Sequence, residues 1–250
     1  MPDMTRRGLL RGALVGGTTL GTAGAVQAFG PLDRAAVMKR APAMQDWANL
    51  ARYRAANAEA LAGPASARRV VMMGDSITQN WARYSGGFFA AHGLVGRGIS
   101  GQLSAQMLVR FWPDVIALKP RLVHIMAGTN DLVGDIDPYD AQATQDNLSA
   151  MVSLAKTRGI GIVMASVPPA SGFAWGGAME ALKALNAWIN DLCAKEGYTY
   201  CDYWPVLEAT GGKLKPELGL DTVHPNAAGY AAMGPVLLAS IDAALKRKAG

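Results

Sequence analysis

Short apolar runs alternate with longer amphipathic stretches along most of this chain. Apolar runs bounded by glycine or polar residues are typical of buried strands, whereas apolar positions three and four residues apart are typical of helices packed on a sheet. The predicted strands are Val70–Met73, Leu94–Arg97, Leu122–Met126, Gly161–Ser166 and Tyr198–Asp202. The predicted helices are Ser104–Leu118, Pro138–Arg158, Met179–Glu196 and Ala227–Lys248.

The order of these elements predicts the fold class. Strands that alternate with helices form βαβ units, which build a parallel sheet covered by helices on both faces. We therefore predict a three-layer α/β/α domain over residues 69–250, with the carboxyl end of every strand on one rim. Apolar faces support two of the helices: Ala141, Thr144, Leu148, Met151 and Ala155 share one, and Tyr230, Met233, Leu237, Ile241 and Leu245 share another.

The first 28 residues have the pattern of an export signal. Thr5-Arg6-Arg7-Gly8-Leu9-Leu10 resembles a twin-arginine motif, and a weakly apolar segment then ends at Val26-Gln27-Ala28, a cleavage-site pattern. This predicts a periplasmic or secreted bacterial protein without stable membrane insertion after cleavage. The alternative is a retained membrane anchor, because residues 12–32 carry no charged side chain and are long enough to span a membrane.

Residues 29–68 are interpreted as an N-terminal extension. Apolar residues from Trp47 to Ala55 predict one amphipathic helix on the outside of the domain, and Gly63-Pro64 ends the extension before the first strand.

Charge and cysteine content exclude several classes of function. The formal net charge is +5, but the predicted leader supplies +2 of it, and the remaining cluster, Lys246-Arg247-Lys248, suits the end of a terminal helix. We therefore expect no nucleic-acid partner. Cys193 and Cys201 are too few for a four-cysteine zinc site, and no His-Glu-x-x-His motif occurs, so we expect no metal and no cofactor. Buried free thiols are favoured over a disulfide between them.

Ser76 is the candidate nucleophile. It follows the first apolar run in Gly74-Asp75-Ser76, where a strand gives way to a helix. Ligands of open α/β sheets bind at the carboxyl ends of strands, and the free N–H groups of a first helical turn favour developing negative charge. A Gly-Asp-Ser tripeptide alone is weak support, because it also arises by chance in a glycine-rich chain.

One of three histidines suits a general base. His92 falls at a helix end and His124 within an apolar strand, where ordinary structural roles are expected. His224 lies in the loop before the last helix, three residues after Asp221, whose carboxylate can fix a proton on the far ring nitrogen. The alternative is that Asp221 caps a turn beside an exposed histidine.

Two further loops can supply oxyanion donors. Gly128-Thr129-Asn130-Asp131 follows the third strand, so that the Asn130 amide can donate a hydrogen bond on the same rim, although the sequence also suits a plain turn. Gly96-Arg97-Gly98-Ile99-Ser100-Gly101 matches a dinucleotide fingerprint, but its strand is not the first of the sheet and Asp114 does not end a following strand. Its glycines instead allow the Gly101 N–H to reach the oxyanion.

These blocks, taken in order, resemble the signature of the SGNH, or GDSL-type, hydrolases: Ser76 in Gly-Asp-Ser, Gly101 in Gly-Ile-Ser-Gly, Asn130 in Gly-Thr-Asn-Asp and His224 in Asp-x-x-His-Pro. The resemblance runs from about residue 70 to the end of the chain. It implies a flavodoxin-like five-stranded sheet and ester hydrolysis. It also implies a Ser76–His224–Asp221 triad and an oxyanion hole of the Ser76 N–H, the Gly101 N–H and the Asn130 side chain.

One position departs from the family. Gly96 stands where many relatives have asparagine, which is expected to loosen the strand end before Gly101. No Gly-x-Ser-x-Gly motif occurs, which argues against the α/β-hydrolase fold.

The substrate is predicted less closely than the reaction. Phe173 and Trp175 follow the fourth strand and Trp81 follows Ser76, so these aromatics can face a sugar ring or pack in the core. A small acyl ester, such as acetate on a carbohydrate or polysaccharide, is favoured. A lysophospholipase or thioesterase is the alternative enzyme, and a noncatalytic carbohydrate-binding module is the alternative outside enzymes. The sequence does not indicate an oligomeric state.

Overall fold

The computed structural model describes residues 46–133, 139–173 and 176–249, which belong to one compact unit. Within these ranges the central sheet has five parallel strands in the order β2-β1-β3-β4-β5. The strands are β1 Val70–Gly74, β2 Leu94–Gly98, β3 Leu122–Met126, β4 Gly161–Ala165 and β5 Thr199–Cys201. The predicted fold class is confirmed, and the ends of every predicted strand agree to within one residue.

Helices cover both faces of the sheet. In chain order they are α1 Arg54–Ala62, α2 Ser76–Tyr84, α3 Gly86–Ala91, α4 Ser104–Asp114, α5 Thr129–Val133, α6 Ala141–Thr157, α7 Ala178–Glu196, α8 Trp204–Leu207 and α9 Ala227–Ala249. A small antiparallel hairpin, β6 Glu208–Ala209 and β7 Lys213–Leu214, precedes the loop that leads into α9.

The two faces of the sheet carry separate cores because successive strand residues point in opposite directions. On one face Val71 and Met73 belong to a cluster that also contains Phe111 of α4, Met151 of α6 and Leu185 of α7. On the other face the cluster joins β1 to α2 and α9. Its members include Val70, Met72, Ile77, Trp81, Tyr230, Met233 and Leu237.

The N-terminal extension differs from its prediction. The amphipathic helix expected between Trp47 and Ala55 begins only at Arg54, because the preceding residues form turns. Asp46 accepts hydrogen bonds from the backbone N–H groups of Leu50 and Ala51, and Asn49 adopts a left-handed φ of 58°. The predicted export signal, residues 1–28, lies outside the described residues.

The last helix, α9, is long and apolar. Residues 227–247 have a mean hydropathy of 1.4, enough by length and composition to cross a membrane. The face predicted for this helix is confirmed, since Tyr230, Met233, Leu237 and Ile241 are buried in the core. The apolar character of α9 is therefore accounted for by packing against the sheet.

Both cysteines are free and buried, which confirms the interpretation of Cys193 and Cys201 as unpaired core thiols. Burial raises the pKa of Cys193 to about 12 and that of Cys201 to about 11. Neither thiol is therefore activated as a nucleophile.

Candidate active site

Ser76 stands at the junction between β1 and α2. Gly74 ends the strand, Asp75 is the N-cap of α2, and Ser76 is the first helical residue. The junction is tight because β2 packs against α2 at Gly98, where a Cβ would come within 2.2 Å of the Gln79 nitrogen. These neighbours fix the backbone that presents the Ser76 hydroxyl.

A line of hydrogen bonds runs from Ser76 through the imidazole to a carboxylate. Ser76 Oγ lies 2.8 Å from His224 Nε2, although the two residues are 148 positions apart. On the other side of the ring, His224 Nδ1 lies 2.8 Å from Asp221 Oδ2. The structure therefore brings together the three residues that the sequence predicted as nucleophile, base and orienting acid.

The loop that carries Asp221 fixes its carboxylate locally. Oδ1 accepts hydrogen bonds from the backbone N–H groups of Val223, at 2.8 Å, and His224, at 2.7 Å. Partial desolvation acts to raise the pKa of Asp221, but these two bonds and the His224 ring outweigh it and hold the pKa below its usual value. Asp221 is therefore an ionised acceptor for the imidazole N–H at neutral pH.

Backbone contacts hold the Asp221–His224 loop against the domain. Leu220 N donates to His224 O at 2.8 Å, which closes the turn. Ser171 N, in the segment after β4, donates to Thr222 O at 2.9 Å. Asn226 Nδ2 donates to Glu217 O at 2.9 Å and anchors the start of α9. The position of the imidazole is thus set from both sides.

Two of the predicted oxyanion donors are backbone N–H groups. Ser76 N, in the first turn of α2, and Gly101 N have no hydrogen-bond acceptor among the residues that the structure describes. Gly101 adopts a φ of 76°, a conformation that glycine tolerates without strain. Its loop is tied to the nucleophile region because Ile99 N donates to Gly74 O and Ser100 N donates to Gln79 Oε1.

Asn130 lies in α5, directly after β3, and its amide is oriented. Asn130 Nδ2 donates to Gln102 O at 2.9 Å, which leaves its second N–H available. The neighbouring Asp131 fixes the helix by accepting hydrogen bonds from Ser104 N, at 2.9 Å, and from Thr144 Oγ1, at 3.2 Å. Residues 129–133 form one short helix rather than a turn.

Gly96 does not loosen the end of β2, contrary to the sequence prediction. The strand continues to Gly98 and stays in register with β1, with Gly96 opposite Met72 and Gly98 opposite Gly74. A Cβ at Gly96 would lie 2.6 Å from the Ala82 Cβ, so the glycine permits α2 to pack closely on the strand. The departure from the family pattern has a packing role.

The other two histidines have structural positions, as predicted. His124 is fully buried in β3, where its Nε2 lies 2.9 Å from the Tyr203 hydroxyl, and burial lowers its pKa to about 3. His92 is exposed at the C-terminal end of α3, with its ring 4.7 Å from that of Phe88.

Of the two positions predicted for the aromatic residues, the structure shows core packing for Trp81 and Phe173. Trp81 packs between α2 and α9, with its ring 5.7 Å from that of Tyr230. Phe173 packs against the core on the opposite face of the sheet. Trp175 lies outside the described residues. Trp81 lies on the buried face of α2, which accounts for its core position.

Asp75 is a buried acid that the sequence analysis left without a role. Its carboxylate accepts a hydrogen bond from Ile77 N at 2.9 Å and caps α2. Burial raises the pKa of Asp75 to about 6, against the lowering effects of the Ile77 N–H, of a hydrogen bond with Thr129 and of the nearby His224. Asp75 therefore links the helix of Ser76 to the residue before Asn130.

Replacing Asp75 by asparagine is expected to stabilise the protein above about pH 6. An acid whose pKa is raised in the fold contributes stability below its unfolded pKa and loses it as the pH rises through the folded value. The rise from 3.8 to about 6 corresponds to about 3 kcal/mol. Asp75→Asn keeps an acceptor for Ile77 N, and the Thr129 hydroxyl can accept from its amide.

The advantage in melting temperature of Asp75→Asn over the natural protein should grow from about pH 4 to about pH 7. Asp242→Asn, at an exposed position, is the matched control and should show no such growth. A difference in melting temperature that stays constant with pH would contradict the assignment of a raised pKa to Asp75.

Comparison with known proteins places this chain in a family. Residues 72–232 match the model of the GDSL-like Lipase/Acylhydrolase family. The structure is similar to a GDSL-like lipase from Bacteroides thetaiotaomicron VPI-5482, with 37% identity, 78% of this chain and 98% of that chain covered, and a TM-score of 0.74. A protein from Bacteroides fragilis NCTC 9343 is 36% identical, with 78% and 97% covered and a TM-score of 0.73.

More distant similarity shows the fold alone. An acetylxylan esterase from Geobacillus stearothermophilus is 22% identical, with 69% of this chain and 93% of that chain covered and a TM-score of 0.58. Among curated proteins, none matches the sequence. The family model and the two Bacteroides structures, taken with the fold, show that this chain belongs to the GDSL-like lipase/acylhydrolase family and is a carboxylic ester hydrolase.

Proposed function

We propose that this protein is a serine esterase in which Ser76 is the nucleophile, His224 the general base and Asp221 the residue that orients it. The observation that carries the proposal is the hydrogen-bonded line of Ser76, His224 and Asp221, with both ring nitrogens engaged at 2.8 Å. The ionised Asp221 favours the tautomer with the proton on Nδ1, which leaves the Nε2 lone pair directed at the hydroxyl.

In the proposed reaction, His224 Nε2 takes the Ser76 proton while Oγ attacks the ester carbonyl. The carbonyl oxygen becomes an oxyanion that accepts hydrogen bonds from the Ser76 N–H, the Gly101 N–H and the Asn130 amide. His224 then returns the proton to the departing alcohol, which leaves an acyl group on Ser76. Water attacks the acyl-enzyme by the same route and releases the acid, so the serine is regenerated.

Hydrolysis of p-nitrophenyl acetate tests this proposal directly. We expect Ser76-dependent release of p-nitrophenol, with a burst when acylation is faster than deacylation. The Ser76→Ala variant serves as the blank for spontaneous hydrolysis. Equal rates for the variant and the natural protein would remove Ser76 from the mechanism.

Asn130→Ala is expected to lower kcat by about 10² to 10³, the usual cost of removing one oxyanion donor. The KM should change little, because the lost hydrogen bond strengthens only as charge develops. Asn147→Ala is a suitable control, since Asn147 also donates to a neighbour of this loop, at 3.0 Å to Ser104 Oγ, but lies on α6. A kcat for Asn130→Ala within twofold of the natural value would exclude Asn130 from the oxyanion hole.

For the substrate, we propose a small acyl ester, most simply acetate, on a carbohydrate. The predicted export of the chain to the cell envelope would bring it to acetylated polysaccharides. The acetylxylan esterase of Geobacillus stearothermophilus has the same fold, so the architecture accommodates that class of substrate.

A cavity favours a second candidate, hydrolysis of a longer acyl ester or thioester. A space of about 280 Å³ lies between the α2–α3 region and α9, lined by apolar and aromatic side chains. One of its lining residues, Ala227, follows His224 by three positions, and another, Trp81, follows Ser76 by five. An acyl chain that entered this cavity would be buried among Phe88, Tyr230 and Leu238.

A series of p-nitrophenyl esters from acetate to palmitate separates the two candidates. A maximum in kcat/KM at acetate, together with acetate release from acetylated xylan, supports the carbohydrate ester. A maximum at eight carbons or longer supports the alternative. Gly234→Leu, which directs a side chain toward Phe88, should then lower only the activity on long chains.

A further inference from the structure

A buried guanidinium joins the ends of the two strands that border the nucleophile. Arg110 of α4 has no exposed surface. Its Nη2 donates to Gly74 O at 2.9 Å, at the end of β1, and its Nη1 donates to Arg97 O at 2.8 Å, near the end of β2. The carboxylate of Asp114, at 3.1 Å, balances the charge. Such a buried network restricts the positions of its members, because a buried polar group that loses its hydrogen bond destabilises the fold.

Gln102 connects this guanidinium to two of the three proposed oxyanion donors, Gly101 and Asn130. It directly follows Gly101, and its backbone carbonyl accepts the hydrogen bond from Asn130 Nδ2. Gln102 is 3% exposed, and its Oε1 accepts a hydrogen bond from Arg110 Nε. The amide end of the same side chain, Nε2, donates to Ala48 O at 2.8 Å. The position of the Gln102 side chain thus depends on a residue that precedes the sheet, Ala48.

Two side chains of the N-terminal segment 48–57, those of Tyr53 and Asn57, contact the end of β2 and the buried Arg110–Asp114 pair. The Tyr53 hydroxyl donates to Gly98 O, and the Tyr53 ring lies 4.8 Å from the Arg97 guanidinium. Asn57 accepts a hydrogen bond from Arg97 Nε and donates one to Asp114 Oδ1, both at 2.7 Å. This segment lies outside residues 72–232, the part of the chain that matches the family model.

We propose that segment 48–57 positions the oxyanion donors Gly101 and Asn130, and that Gln102 and Tyr53 are the positioning residues through which it acts. The inference rests on the proposed role of those donors in ester hydrolysis. Without the segment, Gly98 O, Gln102 Nε2 and the Arg97 guanidinium would lose partners in a buried region. The 98–102 loop would then be free to shift, and misplacement by about 1 Å can lower a rate by about 10².

Two conservative variants test the proposal. Tyr53→Phe keeps the ring on Arg97 and removes only the hydroxyl that donates to Gly98 O. Gln102→Glu keeps an acceptor for Arg110 and removes the donor to Ala48 O. We expect each to lower kcat for p-nitrophenyl acetate about tenfold or more, with KM within about twofold. If Gln102→Glu does not fold, Tyr53→Phe alone decides the outcome.

A transition-state analogue distinguishes positioning from a general loss of structure. The hemiketal that an alkyl trifluoromethyl ketone forms with a serine carries an oxyanion, so its inhibition constant should rise in parallel with the loss of kcat/KM. Arg68→Ala is the matched control. It removes hydrogen bonds to Leu118 O and Gly63 O, both at 3.0 Å, which anchor the end of the N-terminal region away from the 98–102 loop. It should lower the melting temperature and leave kcat unchanged.

The outcomes separate this inference from the proposed function. Ser76-dependent hydrolysis by the natural protein, with kcat of Tyr53→Phe and Gln102→Glu within twofold of it, would overturn the positioning role and leave the esterase proposal intact. An equal fall in kcat for Arg68→Ala, or a rise in KM alone, would also overturn it. Natural protein that hydrolyses esters no faster than Ser76→Ala would refute the proposed function and the inference with it.

Discussion

Replacing Ser76 by alanine is expected to lower kcat for a short ester by roughly 10⁶, the largest effect of any single substitution proposed for this protein. In the proposed mechanism the hydroxyl forms the acyl-enzyme, and no other serine hydroxyl among the described residues is hydrogen-bonded to His224. The proposed oxyanion donors remain in the variant, so a residual rate above that in water is expected. The measurement is steady-state hydrolysis of p-nitrophenyl acetate at matched protein concentrations.

Non-additivity provides a stronger form of this test. His224→Ala alone should lower kcat about as much as Ser76→Ala. The double variant should be no slower than either single variant, because in the proposed mechanism the two side chains act as one unit. Ser85→Ala, at the C-cap of α2, controls for the loss of a hydroxyl next to the same helix. Losses that multiply in the double variant would show that the two residues act independently.

Asp221→Asn is expected to lower kcat by about 10³ to 10⁴ while the loop stays folded. The asparagine oxygen can still accept from the backbone N–H groups of Val223 and His224, so the turn keeps its hydrogen bonds. The amide nitrogen then faces His224 Nδ1 and donates to it, which places the ring proton on Nε2. In that tautomer Nε2, the nitrogen that faces Ser76, has no lone pair to accept the Ser76 proton.

The exposure of the Asp221 side chain, at 55%, places the expected loss toward the lower end of this range, because water can replace part of the lost interaction. Asp140→Asn is the matched control. Asp140 is also exposed, and as the N-cap of α6 its carboxylate also accepts a hydrogen bond from a backbone N–H, that of Ala143, at 3.0 Å. The comparison uses kcat/KM with the same short ester and thermal melting of each variant. A loss of less than tenfold for Asp221→Asn would exclude an essential orienting role.

The sheet and the candidate triad could be predicted because their signals are local. Each strand is a short apolar run that ends at glycine or a polar residue, and Asp221 and His224 are three positions apart in one loop. The parallel order of strands then requires the carboxyl ends to share a rim, which brings the residues after β1, β2 and β3 together. Local pattern was sufficient for the sheet, and the candidate triad needed the resemblance of the four motifs to a known family as well.

The buried polar network could not be predicted in the same way. Arg110 and Asp114 have the spacing of an ordinary exposed ion pair on a helix, and nothing in the sequence shows that both are buried. The partners of Arg110 are backbone carbonyls of Gly74 and Arg97, which carry no sequence signal. The start of α1 was misplaced for a related reason, since the turn at Asn49 depends on hydrogen bonds to the Asp46 side chain.

Two residues of the site, Asp221 and His224, are close in sequence, whereas Ser76 is distant from both. This difference affects the order in which the site forms during folding. The carboxylate and imidazole lie within a single turn, so their mutual geometry forms with that turn, whereas the hydroxyl must be brought across 148 positions of sequence. The Tyr230 hydroxyl, which donates to Ile77 O at 2.9 Å, ties the last helix to the nucleophile helix one residue past Ser76. Recovery of esterase turnover after denaturation should therefore report the docking of these two helices, and it should lag behind formation of the turn itself.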